Sequence, residues 1–118
     1  MEAEELRDYC VSKIGVTEDF PFDQETLVFK IGGKIFLLMS LEKQPLAFNV
    51  KTEPGWSEEL REQYPEITPG YHMNKKLWNS VKTTGKITDK QMKEWILNSY
   101  HLVVAGLPKK TQKELTEE

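Results

Sequence analysis

Cysteine is nearly missing. Cys10 is the sole thiol in 118 residues, so no internal disulfide can form and packing must hold the chain together. Long apolar runs are missing too: the longest, residues 35–39, is strand-sized and far short of the ~20 residues of a membrane span. The only histidines, His72 and His101, fall on different expected elements, with no cysteine or carboxylate at metal-ligand spacing beside either. Gly32-Gly33 lacks the spacing of a phosphate loop or dinucleotide fingerprint. Asp19, Asp23 and Glu25 lack the spacing of a calcium loop. The expectation is a non-catalytic protein with no metal and no cofactor. The acidic N-terminus (Glu2, Glu4, Glu5) has neither the basic nor the apolar part of a signal peptide, and with one thiol it points to the cytoplasm.

What is present is an ordinary globular mix, 38% hydrophobic and 30% charged. The length suits one domain, expected over 1–108, with a loose charged tail over 109–118. The net charge of −3 is unevenly spread. Residues 1–25 hold eight acids and two bases, and residues 75–93 hold six lysines and one acid, Asp89. An acidic chain is a poor general binder of nucleic acid, but a basic face can still bind phosphate. The lysine run is equally readable as a solvated hairpin and helix start.

Ala3, Leu6, Cys10 and Ile14 recur at helical spacing and predict a helix over 2–14, stopped by Gly15. Cys10 on its apolar face reads as core. Residues 16–24 read as an irregular lead-in that packs Phe20 and Phe22 onto the core. Leu27–Ile31 and Lys34–Leu41 flank Gly32-Gly33, a strong hairpin signal because a type I′ turn needs positive φ at both central positions. Leu46–Lys51 alternates as a third strand. Ser57 is read as the cap of a short helix ending at Tyr64. A second hairpin is expected over Gly70–Asn74 and Leu77–Thr83, tipped by Lys75-Lys76. Thr88 and Gln91 form a capping-box pattern, opening a last helix that buries Met92, Ile96, Tyr100 and Val103 and ends at Gly106. The fold class is therefore α+β: a two-layer sandwich of mostly antiparallel sheet and helices, in the order α-β-β-β-α-β-β-α.

With Lys75-Lys76 as a two-residue turn, Tyr71, Met73, Trp78 and Ser80 share a core-like face. His72, Asn74, Leu77 and Asn79 then share a polar one, with Val81 further along. That polar row is either a binding face or the wet side of an antiparallel sheet. Trp95 reads as core edge and Trp56 as a staple of the short helix. In the first hairpin the same counting pairs Phe29 with Phe36 and Leu27 with Leu38. Val28, Ile35, Leu37, Met39 and Leu41 are left on the opposite face. A sheet apolar on both faces needs cover on both, by its own chain or by a second copy, so a homodimer is one expectation.

The run Pro69-Gly70-Tyr71-His72-Met73-Asn74-Lys75-Lys76-Leu77-Trp78-Asn79-Ser80-Val81 resembles the signature hairpin of the MmcQ/YjbR family. The likeness extends to Val28-Phe29-Lys30, Gly33-Lys34-Ile35-Phe36, Phe48-Asn49-Val50-Lys51, Trp56 to Tyr64, Ser99-Tyr100-His101-Leu102-Val103 and Leu107-Pro108, nearly the whole chain in order. Leu77 departs from it, standing where the family usually has a second histidine. The resemblance implies a two-layer fold like that of type III secretion chaperones and a DNA-binding role through a double-wing motif. The wings would be the hairpins tipped by Gly32-Gly33 and Lys75-Lys76. Lys75, Lys76 and Lys82 would contact phosphate, helped by Lys30, Lys34, Lys86 and Lys90. His72, Asn74 and Asn79 would reach bases or sugar. The alternative is a module that binds a protein or a small ligand on the exposed sheet.

Overall fold

A computed structural model describes residues 1–43, 45–70, 74 and 76–116. The chain runs α1 (Ala3–Val11), β1 (Val16–Asp19), β2 (Thr26–Ile31), β3 (Lys34–Ser40), β4 (Ala47–Lys51), α2 (Pro54–Gln63), β5 (Ile67–Pro69), β6 (Trp78–Lys82), α3 (Asp89–Ala105) and α4 (Lys109–Thr116). Six strands form one sheet in the order β1-β2-β3-β4-β6-β5, every neighbour antiparallel. This is the expected α+β class. No described helix is long and apolar enough to cross a membrane.

The Gly32-Gly33 turn forms as expected, with φ of 58° and 79° and Ile31 paired to Lys34. The register beyond it does not. A bulge makes Phe29 face Leu37 and Leu27 face Met39, and Phe36 becomes the extra residue. Simple alternation would send every second residue outward. The bulge instead lets Phe36, Leu37 and Met39 all join the core, and Phe36 meets the Tyr100 ring at 5.5 Å. The outer face keeps only a small cluster, Val28, Leu38 and Trp78, with Ile35 and Leu77 packed against it. The outward apolar stripe that suggested a second copy is thus largely absorbed by the bulge, and the chain's own Trp78 and Leu77 pack on what remains.

α3 lies on the inner face across β2, β3 and β4, with Met92, Trp95, Ile96, Tyr100 and Val103 buried. Its capping box is complete: Gln91 N–H donates to Thr88 Oγ1, and the Thr88 N–H donates to Gln91 Oε1. α1 packs by the β1 edge through Leu6 and Cys10. Arg7 there grips Glu18 of β1 at 2.8 Å, an early strand that the loop-like composition of 16–24 concealed. α2 starts earlier than its sequence suggests, with Glu53 at the N-cap and Pro54 in the first turn. Ser57, read as the cap, is instead fully buried inside the helix and bonds Thr52.

Where the sequence suggests a loose tail, α4 folds back. Leu107 reaches Gly32, and Leu115 sits against Gly15 and Ile31. Gln112 Nε2 secures the approach by donating to Leu107 O at 2.7 Å.

Candidate nucleic-acid interface

The strand pairings decide which lysines meet. Trp78 pairs with Lys51, and Leu37 with Val50. The start of β6, the end of β4 and the Gly32-Gly33 turn therefore share one end of the sheet. Lys30 and Lys34 flank that turn, Lys51 ends β4, and Lys76 and Asn74 are exposed in the loop leading into β6. α4 crosses the same end and adds the exposed Lys109 and Lys110. The acids here are few. Glu18 is tied to Arg7, Glu53 accepts from Asn98 at 3.4 Å, and Glu114 lies on α4. Lys30, Lys34, Lys51 and Lys76 form no ion pair with a described carboxylate.

Lys82, Lys86 and Lys90 go elsewhere. Lys82 pairs with Ala47 at the far end of β6, and Thr83 beyond it bonds Leu46 O. Lys86 and Lys90 flank the start of α3, whose last turn is at the lysine-rich end. The rise of α3 sets the two groups on the order of 24 Å apart. Lys82 lies about 13 Å from the Lys51 pair along β6. The two groups therefore lie at opposite ends of the sheet. Lys75 and His72 lie outside the described residues.

The second hairpin differs from expectation. Its described strands are Ile67–Pro69 and Trp78–Lys82, paired Pro69 with Asn79, and Tyr71, Met73 and Lys75 of the expected strand and tip lie outside the described residues. Asn74 closes it by accepting from Leu77 N–H (3.0 Å) and Trp78 N–H (2.9 Å) through its carbonyl and from Lys76 N–H (3.0 Å) through Oδ1. This reverses the expected faces. Trp78 and Ser80 point to the outer side, while Asn79 and Val81 point to the core. Asn79, expected in an exposed polar row, is 1% exposed. Its Oδ1 accepts from Arg61 Nε at 2.6 Å and its Nδ2 donates to Thr52 Oγ1 at 3.2 Å, so its amide is committed to structure. Asn74 remains outside in the loop.

Lys51 was absent from the sequence-based set, and Ser99 explains its position. Ser99 is fully buried on α3. Its Oγ accepts from Lys51 N–H at 2.8 Å and donates to Phe36 O at 2.6 Å. The hydroxyl thus stands between two backbone groups that would otherwise extend the β3–β4 ladder. It fixes the end of β4 beside the last turn of α3. A groove of about 460 Å³ opens there, lined by Lys34, Ile35, Lys51, Trp78, Leu102 and Val103, with Gly106 at its rim.

No cluster of three potential metal ligands exists among the described residues. Cys10 is buried, and desolvation pushes its thiol up to about 12, which keeps it protonated at neutral pH. Far from the lysine-rich end, Glu25 is raised above the usual carboxylate range by hydrogen bonding and repulsion from Glu42. Asp23 is lowered by backbone N–H donors of Glu25 and Thr26.

The YjbR family model matches residues 11–102. An uncharacterised Escherichia coli O157:H7 protein, YbdF, is 45% identical over 96 residues, 81% of this chain and 79% of its own length. The uncharacterised YjbR of Escherichia coli K12 is 29% identical across 99% of both chains. The crystal structure of Deinococcus radiodurans protein DR2400 superposes with a TM-score of 0.90 at 39% identity, over 96% of this chain and 86% of that one.

Proposed function

The chain belongs to the YjbR family, and from that premise we propose that it is a non-catalytic, cytoplasmic DNA-binding protein that grips phosphate with one end of its sheet. The observation that supports this reading is the convergence of Lys30, Lys34, Lys51 and Lys76 at the end where both hairpins turn, without carboxylate partners. Each ammonium is an exposed or half-exposed point charge on a flexible stem, suited to backbone phosphate rather than to reading a base edge. Asn74 beside them is the polar group available for sugar or base contact. Lys82, Lys86 and Lys90 lie at the opposite end of the sheet and are left out of this grip.

Titration of a fluorescent duplex by anisotropy at several salt concentrations tests this. Four phosphate contacts give a log–log salt slope of roughly −3 to −4. No binding at high micromolar protein and low salt ends the proposal. The alternative of a protein-binding module would then stand, and a self-association surface on the outer sheet face would show as a dimer mass in light scattering.

A further inference from the structure

The groove beside Lys34 and Lys51 differs from the rest of the lysine-rich end. Bare phosphate binding needs only charge, yet this hollow has an apolar lining of Ile35, Trp78, Leu102 and Val103 under its two ammonium groups. Its volume of about 460 Å³ lies in the range typical of small organic ligand sites, roughly 300–1,000 Å³. Neither lysine is neutralised by a described carboxylate, so anionic charge is attracted where apolar surface is also open. At the rim, Gly106 N–H donates to Val103 O rather than to Leu102 O. Apolar lining and paired cations together match a flat ring carrying a phosphate.

We infer that this groove receives one unpaired nucleotide of DNA, its base against Ile35, Trp78, Leu102 and Val103 and its phosphate between Lys34 and Lys51. This rests on the DNA reading above and adds a preference to it. A paired base is stacked and offers only its edges, so an intact duplex can supply the phosphate but not the ring. A frayed end or a single-stranded tail supplies both. The protein thus favours a junction of paired and unpaired DNA over a continuous duplex.

The test compares a blunt duplex with the same duplex carrying a short unpaired tail, by anisotropy at one salt concentration. Burial of one base is expected to tighten binding about tenfold. Gly106→Phe fills the groove without changing charge. An added Cβ there meets only ordinary contacts, the nearest being Val103 O at 3.5 Å. It should abolish the preference for the tail and leave blunt-duplex affinity unchanged. Leu102→Asn, which replaces an apolar wall of the groove by a neutral polar group at a half-buried position, should do the same and serves if Gly106→Phe does not fold. Equal affinity for the two DNAs, or a preference that survives both variants, overturns this inference while leaving duplex binding intact. Failure of both DNAs to bind overturns the DNA reading itself. A free nucleoside monophosphate that competes as well as the tailed duplex overturns the assignment to DNA.

Discussion

Replacing Ser99 by alanine removes one hydroxyl and leaves two backbone groups stranded. Lys51 N–H and Phe36 O both lose their partner, and the site is fully buried at Ser99. A buried polar group without a partner costs about 1–3 kcal/mol. Alanine recovers roughly 0.5 kcal/mol through its higher helix propensity in the middle of α3. Taking the low end for each of the two groups, the net expected loss is about 2 kcal/mol. Per-residue unfolding entropies make that roughly an 8 °C drop in Tm for a domain of this size. Urea unfolding should show a lower midpoint with an unchanged m-value, because the surface exposed on unfolding is the same. Hydrogen exchange at the Lys51 amide should speed up more than at Val50, whose strand pairing to Asn79 of β6 is retained. Ser80→Ala, on the outer face, should stay within about 0.5 kcal/mol of the parent. A Ser99→Ala protein as stable as the parent, with a still-protected Lys51 amide, would refute the bridging role.

Asn79→Ala should cost about 1–3 kcal/mol, since it strands the Arg61 Nε–H and the Thr52 hydroxyl, and loss of DNA binding without loss of stability would contradict its structural assignment. Cys10 should resist a thiol reagent at pH 8 in the folded protein and react at the free-thiol rate in denaturant; rapid native labelling would show that the α1 face is open. The raised Glu25 pKa means that the folded state holds this proton more tightly than the unfolded chain. Its contribution to stability is present at low pH and lost as pH rises through the raised value. Glu42→Gln should bring the Glu25 titration midpoint, followed by NMR, down toward the ordinary carboxylate value, and an unmoved midpoint would exclude Glu42 as the cause.

Local chemistry carried much of the fold. Glycine pairs with positive φ, a Thr88–Gln91 box and a 3–4 spacing of apolar residues in α3 depend on neighbours in sequence, and each formed as read. The misplaced strand faces follow from one property of strands: successive side chains point to opposite sides, so a register error inverts them. The bulge in the first hairpin moved Leu37 and Met39 inward, and the pairing of β6 with β4 and β5 sets Asn79 inward and Trp78 outward. Nothing in the local composition marks either shift. β1 was hidden because an edge strand of mixed Val-Thr-Glu-Asp character is stabilised by pairing with β2 and by Arg7, both distant in sequence.

The candidate interface was legible only in part. Lys30, Lys34 and Lys76 could be proposed from their places at turns. Separating Lys82, Lys86 and Lys90 from them required the strand order, which sets β6 beside β4. Lys51 required that same order and the Ser99 bridge. Lys109 and Lys110 sit in a stretch whose charged composition reads as tail, and the eight-residue spacing of Leu107 and Leu115 is its one faint helical signal for α4.

Charge reversal at the two ends of the molecule tests the central claim most directly. Lys34→Glu with Lys51→Glu and, separately, Lys82→Glu with Lys86→Glu change the net charge equally but sit at opposite ends of the sheet. With folding checked by circular dichroism, duplex anisotropy at low salt should show binding lost in the first pair and nearly retained in the second. Equal losses in both would mean that only the overall charge matters, and a loss confined to the second pair would place the contact at the wrong end.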